Sequence, residues 1–91
     1  MNHKDLKNND MTLGVLSAVE ADSSVTQRSL ASELGIALGL TNSYLKRAVD
    51  KGLVKIKHIP SNRYLYYLTP KGFSEKARLT GEYLKASLNF Y

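Results

Sequence analysis

The stretch from Thr26 to Gly52, TQRSLASELGIALGLTNSYLKRAVDKG, constrains the fold of this chain more than any other. Thr26 carries a hydroxyl that can cap a helix, and apolar residues follow it at helical spacing through Leu34. Gly35 then marks a stop, because glycine enters the left-handed conformation after a helix without steric cost. A second periodic run continues to Gly52. The pattern predicts two short helices joined by a tight turn, a helix-turn-helix.

The second helix of this pair is the candidate for entering the major groove of DNA. Its inward side is expected to comprise Thr41, Leu45 and Ala48, with Tyr44 at the margin. Its outward side carries mostly small or polar residues, namely Leu38, Gly39, Asn42, Ser43 and Lys46. Asparagine can pair with adenine, serine can donate or accept a hydrogen bond, and lysine can reach guanine or a phosphate. A plain pair of packed helices with a polar solvent-facing surface is the alternative.

Positive charge is concentrated in one segment of the chain. The net charge is +5, and the segment from Lys46 to Arg63 holds six bases against one acid, which equals that whole net charge. The six bases are Lys46, Arg47, Lys51, Lys55, Lys57 and Arg63, and all of them except Lys51 are candidates for DNA contact. A localised basic stripe attracts polyanions. A solvated lysine face on an ordinary small protein is the alternative.

A β-hairpin is predicted after the helix-turn-helix, where the periodicity becomes alternating. Leu53 to Ile59 predict a strand that places Lys55 and Lys57 on one face. Residues 60–63 supply turn chemistry, and Tyr64 to Leu68 form the returning strand. The three tyrosines of the returning strand are expected to pack in the hairpin or the core rather than to stack on bases.

The N-terminal part of the chain predicts one further helix. Residues 1–9, MNHKDLKNN, are polar and aperiodic, which predicts a flexible N-terminus. Asp10 is expected to cap a helix from Met11 to about Ala21 that packs under the helix-turn-helix. Val25 is expected to add a residue or two to a sheet.

A last helix opens at Thr69 and Pro70 and is predicted to run to about Asn89, because threonine caps helices and proline fits the first helical position. Its apolar stripe is longer than so small a domain can cover, which predicts a dimer seam. The predicted interface residues are Phe73, Ala77, Leu84, Leu88 and Tyr91. The alternative is a helix that folds back over the first helix.

Composition and motifs exclude several classes of function. The 91 residues contain no cysteine, so disulfides and thiol chemistry are impossible. No apolar run is long enough to span a membrane, and the N-terminus lacks the apolar region of a signal peptide. His3 and His58 have no further ligand at metal-binding spacing, and no nucleophile or phosphate-loop motif is present. We therefore expect a soluble, cytoplasmic protein without metal, cofactor or catalytic activity.

The segments QRSLASELGIALGLTNSYLKRAVDKGLVK and YYLTPKGFSEKARLTGEYL carry a resemblance to a known family. They resemble small bacterial transcriptional regulators of the MarR-like group, and the likeness covers about residues 11–90. The second segment is similar to a subgroup associated with exopolysaccharide and surface-polysaccharide gene clusters. The combination of the helix-turn-helix with the LTPKG opening of the last helix is the more specific part of the likeness.

The resemblance implies a winged helix-turn-helix, which is a mainly α fold with a small β-hairpin. A three-helix core would carry a recognition helix from about Leu38 to Lys51, a two-stranded wing from Ile56 to Tyr66 and a long C-terminal helix. The implied function is transcriptional control by a homodimer bound to double-stranded DNA. By this likeness the DNA contacts would be Gln27 and Arg28 near a phosphate, Gly39, Asn42, Ser43 and Lys46 in the groove, and Arg63 in the wing.

The chain also departs from the family pattern. Family members commonly place serine or threonine at the position of Ala37, so a capping hydroxyl is missing at the start of the recognition helix. The wing is shorter than is typical, and only Arg63 remains of an Asp-x-Arg element. The terminal helices with which MarR proteins dimerise and form an effector pocket are scarcely represented.

These observations predict a sequence-specific DNA-binding transcriptional regulator. Its recognition helix would enter the major groove, and its basic wing would lie on the backbone or in the minor groove. We divide the chain into a flexible N-terminus (1–9), a DNA-binding domain (10–69) and a C-terminal dimerisation helix (70–91). Two alternatives stay open. One is a winged-helix protein-interaction module with an acidic partner, and the other is a DNA-binding protein of plasmid or phage replication or partition.

Overall fold

The computed structural model describes the backbone of residues 3–88 and the side chains of residues 9–85, and these form four helices and a two-stranded antiparallel sheet. The element order is α1 (His3–Ala21), α2 (Gln27–Leu34), α3 (Leu38–Asp50), β1 (Val54–Ile59), β2 (Arg63–Leu68) and α4 (Pro70–Leu88). The predicted arrangement of three helices, hairpin and long last helix is confirmed. Across residues 3–88, no helix combines the length and the apolar character that crossing a membrane requires.

One hydrophobic core joins all six elements. Its buried apolar residues are Val15, Leu16, Ala18, Val19, Val25, Leu30, Tyr44, Leu45, Ala48, Leu53, Val54, Tyr66 and Leu79. Thr41 is fully buried among them, and its hydroxyl donates to the Ala37 carbonyl at 3.0 Å, which satisfies the polar group. The predicted inward side of the recognition helix is therefore confirmed, and Tyr44 lies inside the core rather than at its margin.

The first helix begins at His3 rather than at Met11. Asp10 consequently lies inside α1, and the predicted N-cap at Asp10 is wrong. The segment 1–9, predicted to be flexible, is helical from His3. Neither proline nor glycine precedes Gly14, so nothing in the polar sequence stops the helical hydrogen-bond ladder from extending beyond the buried turns. Apolar periodicity begins only at Met11, and the polar turns before it carry no periodic signal of a helix.

Thr26 and Gly35 bound α2 as predicted. The Thr26 hydroxyl accepts a hydrogen bond from the Ser29 N–H at 3.0 Å, and the Ser29 hydroxyl accepts one from the Thr26 N–H at 3.0 Å. This reciprocal pair is a capping box, which satisfies two N–H groups at the start of the helix. Gly35 ends the helix in the left-handed conformation, at φ 67°. The helix-turn-helix is thereby confirmed.

The loop before α2 is closed by side-chain hydrogen bonds rather than by a strand. The Ser24 hydroxyl and N–H donate to Asp22 Oδ1 at 2.6 and 2.9 Å, and they lower the pKa of the Asp22 carboxyl. Val25 is buried in the core and belongs to no strand, so that prediction is wrong. The Ser23 carbonyl instead accepts the Tyr66 N–H at 2.9 Å, which docks the loop on β2.

The hairpin pairs β1 with β2 in an antiparallel register that runs from Val54 opposite Leu68 to Ile59 opposite Arg63. Residues 60–62 form the turn, and Asn62 adopts the left-handed conformation at φ 57°, which asparagine tolerates better than most residues. Arg63 belongs to the strand rather than to the predicted turn.

The start of α4 is anchored on the junction between α3 and β1. The Thr69 hydroxyl accepts the Gly72 N–H at 3.0 Å, and the Thr69 N–H donates to the Leu53 carbonyl at 3.0 Å. The same hydroxyl donates to the Gly52 carbonyl. A Cβ on Gly72 would lie 2.0 Å from the Leu53 carbonyl oxygen, so only glycine permits this approach. The LTPKG sequence therefore has a structural role, because it attaches the start of α4 to Gly52 and Leu53. We call this contact the Leu53 junction.

The last helix packs against α1 on one side and leaves its apolar stripe exposed on another. Leu79 is 3% exposed in the core, and Lys76 forms an ion pair with Glu20 of α1. The fold-back alternative is therefore correct for this face. Phe73, Ala77 and Leu84 of the predicted dimer seam are exposed, whereas Tyr91 and the side chain of Leu88 lie outside the described residues.

The Leu53 junction predicts a large effect of Gly72→Ala. The added methyl forces α4 away from the Leu53 carbonyl, so we expect the free energy of unfolding to fall by about 1–3 kcal/mol. Gly81→Ala is the matched control, because a Cβ at Gly81 meets nothing within 4 Å. That variant should stabilise the helix by up to about 1 kcal/mol. Urea denaturation followed by circular dichroism measures both, and equal effects would contradict the packing argument.

Candidate nucleic-acid interface

The outward side of α3 is a continuous, mostly polar face. Gly39, Ser43 and Lys46 recur at intervals of four and three residues, so they stand in one row along the helix, and all three are exposed. The buried residues of α3 lie on the opposite side. Asn42 stands at the flank of this row and is partly buried. A Cβ at Gly39 would meet nothing within 4 Å, so the packing of the chain does not require glycine there.

The α3 helix begins without a side-chain cap. Ala37 has the extended conformation of an N-cap residue, with ψ 149°, but has no hydroxyl or carboxylate to bond the first-turn N–H groups. The helix nevertheless starts where the resemblance implies it should. Its N-terminal end therefore keeps unpaired N–H donors and a positive dipole end, which favour an anion such as a phosphate.

The guanidinium of Arg47 lies over the ring of Tyr44, with Cζ 5.7 Å from the ring centroid. Tyr44 is 8% exposed and anchored in the core, whereas Arg47 is exposed. A cation over an aromatic face is attracted by the ring quadrupole, which restricts where the guanidinium can go. Tyr44 therefore positions a cation at the edge of the outward face of α3.

A groove of about 420 Å³ lies between the N-terminus of α2 and the tip of the hairpin. It is lined by Ser24, Val25, Thr26, Gln27, Arg28, Leu38, Asn62, Arg63, Tyr64 and Tyr66. The charged residues in this lining are Arg28 and Arg63, and both are positive. The fold thus brings together three predicted contacts, Gln27, Arg28 and Arg63, beside the first residue of α3.

The hairpin register places the two remaining basic residues on another face. His58 and Tyr64 are opposite each other, on the same side as the buried Tyr66, and their ring centroids are 5.1 Å apart. Because successive strand residues point to alternate faces, Lys55 and Lys57 project from the opposite side of the hairpin. By the same register Arg63 shares the face of the two lysines, but it stands at the end of the hairpin and lines the groove, whereas neither lysine does.

Seven of the ten groove residues are not predicted contacts, and Asn62, Tyr64 and Leu38 are three of them. Asn62 and Tyr64 reach the groove because they are at the hairpin tip, and Leu38 reaches it because α3 starts there. Tyr64 packs against His58 within the hairpin, one of the two expected places, but it lies outside the core and is 55% exposed. The register of the strands was the available signal, since it puts Tyr64 on the face of Tyr66 but beyond the reach of the core.

The part of the chain with described side chains offers no metal-binding cluster, meaning no group of three or more histidine, cysteine, aspartate or glutamate residues placed to hold an ion. The ion pairs on α4 connect Arg78 with Glu75 and Glu82 and lie at the surface. These pairs, through the hydrogen bonds to Glu75 above all, raise the pKa of Arg78, which therefore stays charged.

Comparison of the sequence with known families finds one match. Residues 8–55, more than half of the chain, match the profile of a family described as winged helix-turn-helix DNA-binding. The match spans most of α1, the helix-turn-helix and the first residues of β1. A search of curated proteins by sequence found no match.

Several solved structures share the fold. The PcaV transcriptional regulator from Streptomyces coelicolor, in complex with its natural ligand, superposes with a TM-score of 0.76 at 23% identity, over 87% of this chain and 57% of that one. MarR from E. coli superposes with a TM-score of 0.65 at 26% identity, over 75% of this chain and 52% of that one. A mutant of S. aureus MepR bound to an oligodeoxyribonucleotide superposes with a TM-score of 0.70 at 21% identity, over 91% of this chain and 61% of that one.

The chain thus spans between about half and three fifths of the length of these three proteins. The likeness to the MarR-like group is confirmed at the level of the fold. The narrower resemblance, to regulators associated with exopolysaccharide gene clusters, is tested by none of these comparisons and stays a prediction.

The uncapped start of α3 predicts that Ala37→Ser stabilises the protein. Serine accepts hydrogen bonds from first-turn N–H groups, so we expect a gain of about 1 kcal/mol in the free energy of unfolding. Ala37 is exposed, and the change introduces no clash that would offset the gain. Thr26→Ala, which removes the cap of α2, is the matched opposite and should cost a similar amount. Denaturation in urea measures both, and a destabilised Ala37→Ser would show that Ala37 does not act as the N-cap.

Proposed function

The chain belongs to the winged helix-turn-helix DNA-binding family, and from this premise we propose that it is a transcriptional regulator that binds double-stranded DNA in the cytoplasm. Helix α3 would lie in the major groove and read base edges. The N-terminus of α2 and the tip of the hairpin would hold the backbone on either side. Contacts of this second kind position a protein on DNA without reading its sequence.

The observation that carries this proposal is the convergence of Arg28 and Arg63. They are far apart in sequence and belong to different elements, yet both line the groove that flanks the start of α3. Guanidinium groups pair well with phosphate because their donors form a fixed fork. A pair of arginines beside an exposed polar helix matches what a duplex presents, a groove floor bordered by phosphates.

The outward face of α3 supplies the remaining contacts. Asn42 and Ser43 would contact base edges, while Gly39 would let the helix approach the backbone closely. Lys46 and Arg47 would reach phosphates or guanine. Lys55 and Lys57 are not among the residues that line the groove, so their part would be long-range attraction of the polyanion rather than direct contact.

A protein-interaction module with an acidic partner is the competing function. Such a surface is rich in aromatic residues at its centre, and Tyr44 is the aromatic residue of α3 that could serve. Tyr44 is buried in the core, so it is not part of the exposed surface. Leu38 on the outward face is 43% exposed, but the other exposed residues of that face, Gly39, Ser43 and Lys46, are small or polar, which favours a nucleic-acid groove over a protein interface.

The separation of the basic residues predicts two different effects of equal charge changes. Arg28→Gln with Arg63→Gln should weaken binding to duplex DNA at least about tenfold. The salt-dependence slope should fall by roughly two units, because each arginine that pairs with a phosphate accounts for about one. Lys55→Gln with Lys57→Gln removes the same charge from residues that lie outside the groove. It should leave the slope nearly unchanged and weaken binding only slightly.

Fluorescence anisotropy on a random-sequence duplex, titrated from about 50 to 200 mM salt, measures both affinity and slope. Equal loss in the two double variants would contradict the role of the groove, because net charge alone would then account for binding. If even the unaltered chain bound no duplex at the lowest salt, the DNA-binding function itself would be refuted.

We further propose that two copies of the chain associate through the exposed stripe of α4. Phe73 is 50% and Leu84 55% exposed, and Ala77 lies between them on the same side of the helix. A row of apolar side chains left in water is costly, and such patches commonly mark interfaces. A homodimer would also place two recognition helices on one duplex, as palindromic operators require.

The dimer predicts that Leu84→Glu yields a monomer. A carboxylate in the apolar seam would be desolvated without a partner, so association should weaken by at least about tenfold. Ile56→Glu is the matched control, since Ile56 is also exposed and apolar but lies on the hairpin. Sedimentation velocity distinguishes the species. The seam is refuted if Leu84→Glu still dimerises, or if Ile56→Glu is the variant that dissociates.

A further inference from the structure

Asn42 holds its side-chain amide in an unusual position. Its Oδ1 atom is sealed from solvent, and no hydrogen-bond donor within the described residues pairs with it. The residue as a whole is only partly buried. A sealed oxygen cannot accept a hydrogen bond from a base edge, so the polar atom that remains for a ligand is the amide nitrogen, which is a donor.

Ser43, the next residue, has the opposite hydrogen-bonding capacity, because its hydroxyl hydrogen is already used. Its hydroxyl donates to the Gly39 carbonyl one turn earlier at 3.1 Å. A hydroxyl has one hydrogen, and here the helix itself uses it. The lone pairs of Oγ stay available on an exposed residue. Ser43 therefore offers an acceptor to any ligand that approaches the outward face.

From these two arrangements we infer that α3 presents preset and opposite polarities to the major groove, with Asn42 as a donor and Ser43 as an acceptor. The inference rests on the proposed function and adds the base classes that each residue reads. Neighbouring helical residues are offset by about 100° and 1.5 Å, so the two side chains address different positions on the duplex. The position that Asn42 reads must then offer a hydrogen-bond acceptor, and the position that Ser43 reads must offer a donor.

The groove chemistry turns these polarities into base preferences. Major-groove acceptors are N7 of either purine, O6 of guanine and O4 of thymine, and Asn42 selects among these. Major-groove donors are the amino groups of cytosine and adenine, and Ser43 selects these. The paired contact of asparagine with adenine, through N6 and N7 together, needs an accessible Oδ1. Asn42 therefore does not make it.

The competing arrangement has the Asn42 amide turned outward. An unpaired buried acceptor is unfavourable, so rotation toward adenine would relieve it. The outward amide would accept from the adenine amino group and donate to N7, whereas the inward amide uses N7 or another acceptor alone. The adenine amino group thus distinguishes the two arrangements, and a test on DNA bases needs no change to the folded chain.

The experiment begins with a binding-site selection on the unaltered chain, repeated with Asn42→Ala and Ser43→Ala. The position whose preference disappears in Asn42→Ala is the one that Asn42 reads. Anisotropy then measures duplexes altered at that position. If the base at that position is a purine, its 7-deaza analogue is substituted, because the analogue lacks N7. If the base is adenine, unsubstituted purine is also substituted, because it lacks the amino group.

We expect Asn42 to read guanine, thymine or the N7 of adenine. Loss of N7 at a purine should weaken the unaltered chain about fivefold, the cost of one hydrogen bond, and should not weaken Asn42→Ala further. Loss of the adenine amino group should have no effect through Asn42. At the base pair whose preference disappears in Ser43→Ala but persists in Ser43→Thr, which keeps the hydroxyl, removal of the major-groove amino group should weaken the unaltered chain and leave Ser43→Ala unchanged. Unsubstituted purine in place of adenine, or pyrimidin-2-one in place of cytosine, removes that group.

An adenine or cytosine whose amino group contributes to binding only when Asn42 is present would overturn the inference. At the base pair that Ser43 reads, loss of the amino group that weakened Ser43→Ala as much as the unaltered chain would overturn it too. Neither result would harm the proposed function, since DNA would still be read by α3. Absence of any selected sequence would instead refute sequence-specific binding itself, and the assigned polarities with it.

Discussion

The Leu53 junction is the constraint on which the rest of the structure depends. At this point the end of α3, the start of β1 and the first turn of α4 meet within hydrogen-bonding distance. Thr69 supplies the cap of α4 and two contacts to the preceding junction, while Gly72 supplies the space for them. Helix α3, the hairpin and the last helix are therefore held in one orientation, because Thr69 bonds the carbonyls of Gly52 and Leu53, the residues that join α3 to β1.

That rigid arrangement explains how a chain of 91 residues assembles a binding surface from distant segments. The hairpin leaves the junction with a defined register, so its tip returns over the N-terminus of α2. Arg28 and Arg63 face one groove only because the loop before α2 also docks on β2, through Ser23 and Tyr66. A shift of the wing would separate the two cations and disrupt the groove that they line.

Several locally unfavourable features cluster on the first turns of α3. Ala37 provides no cap, Gly39 weakens the helix without being needed for packing, and Asn42 keeps an unpaired buried oxygen. Elsewhere the helix ends are well satisfied, as the capping box of α2 and the Thr69 cap of α4 show. Departures from good local design concentrate at surfaces used for binding. Their position on the candidate DNA-reading face agrees with the proposed function.

The sequence by itself determined the elements whose signals are local, such as the Thr26 cap, the Gly35 stop, the alternating strands and the Thr69-Pro70 helix start. It misplaced the start of α1, because a polar helix extending from a buried one has no periodic signal. Only the tertiary structure decided which face of α4 is buried, and that Lys55 and Lys57 are parted from Arg28. Those outcomes depend on strand register and on contacts between elements distant in sequence, whereas caps, stops and turns depend on neighbouring backbone groups.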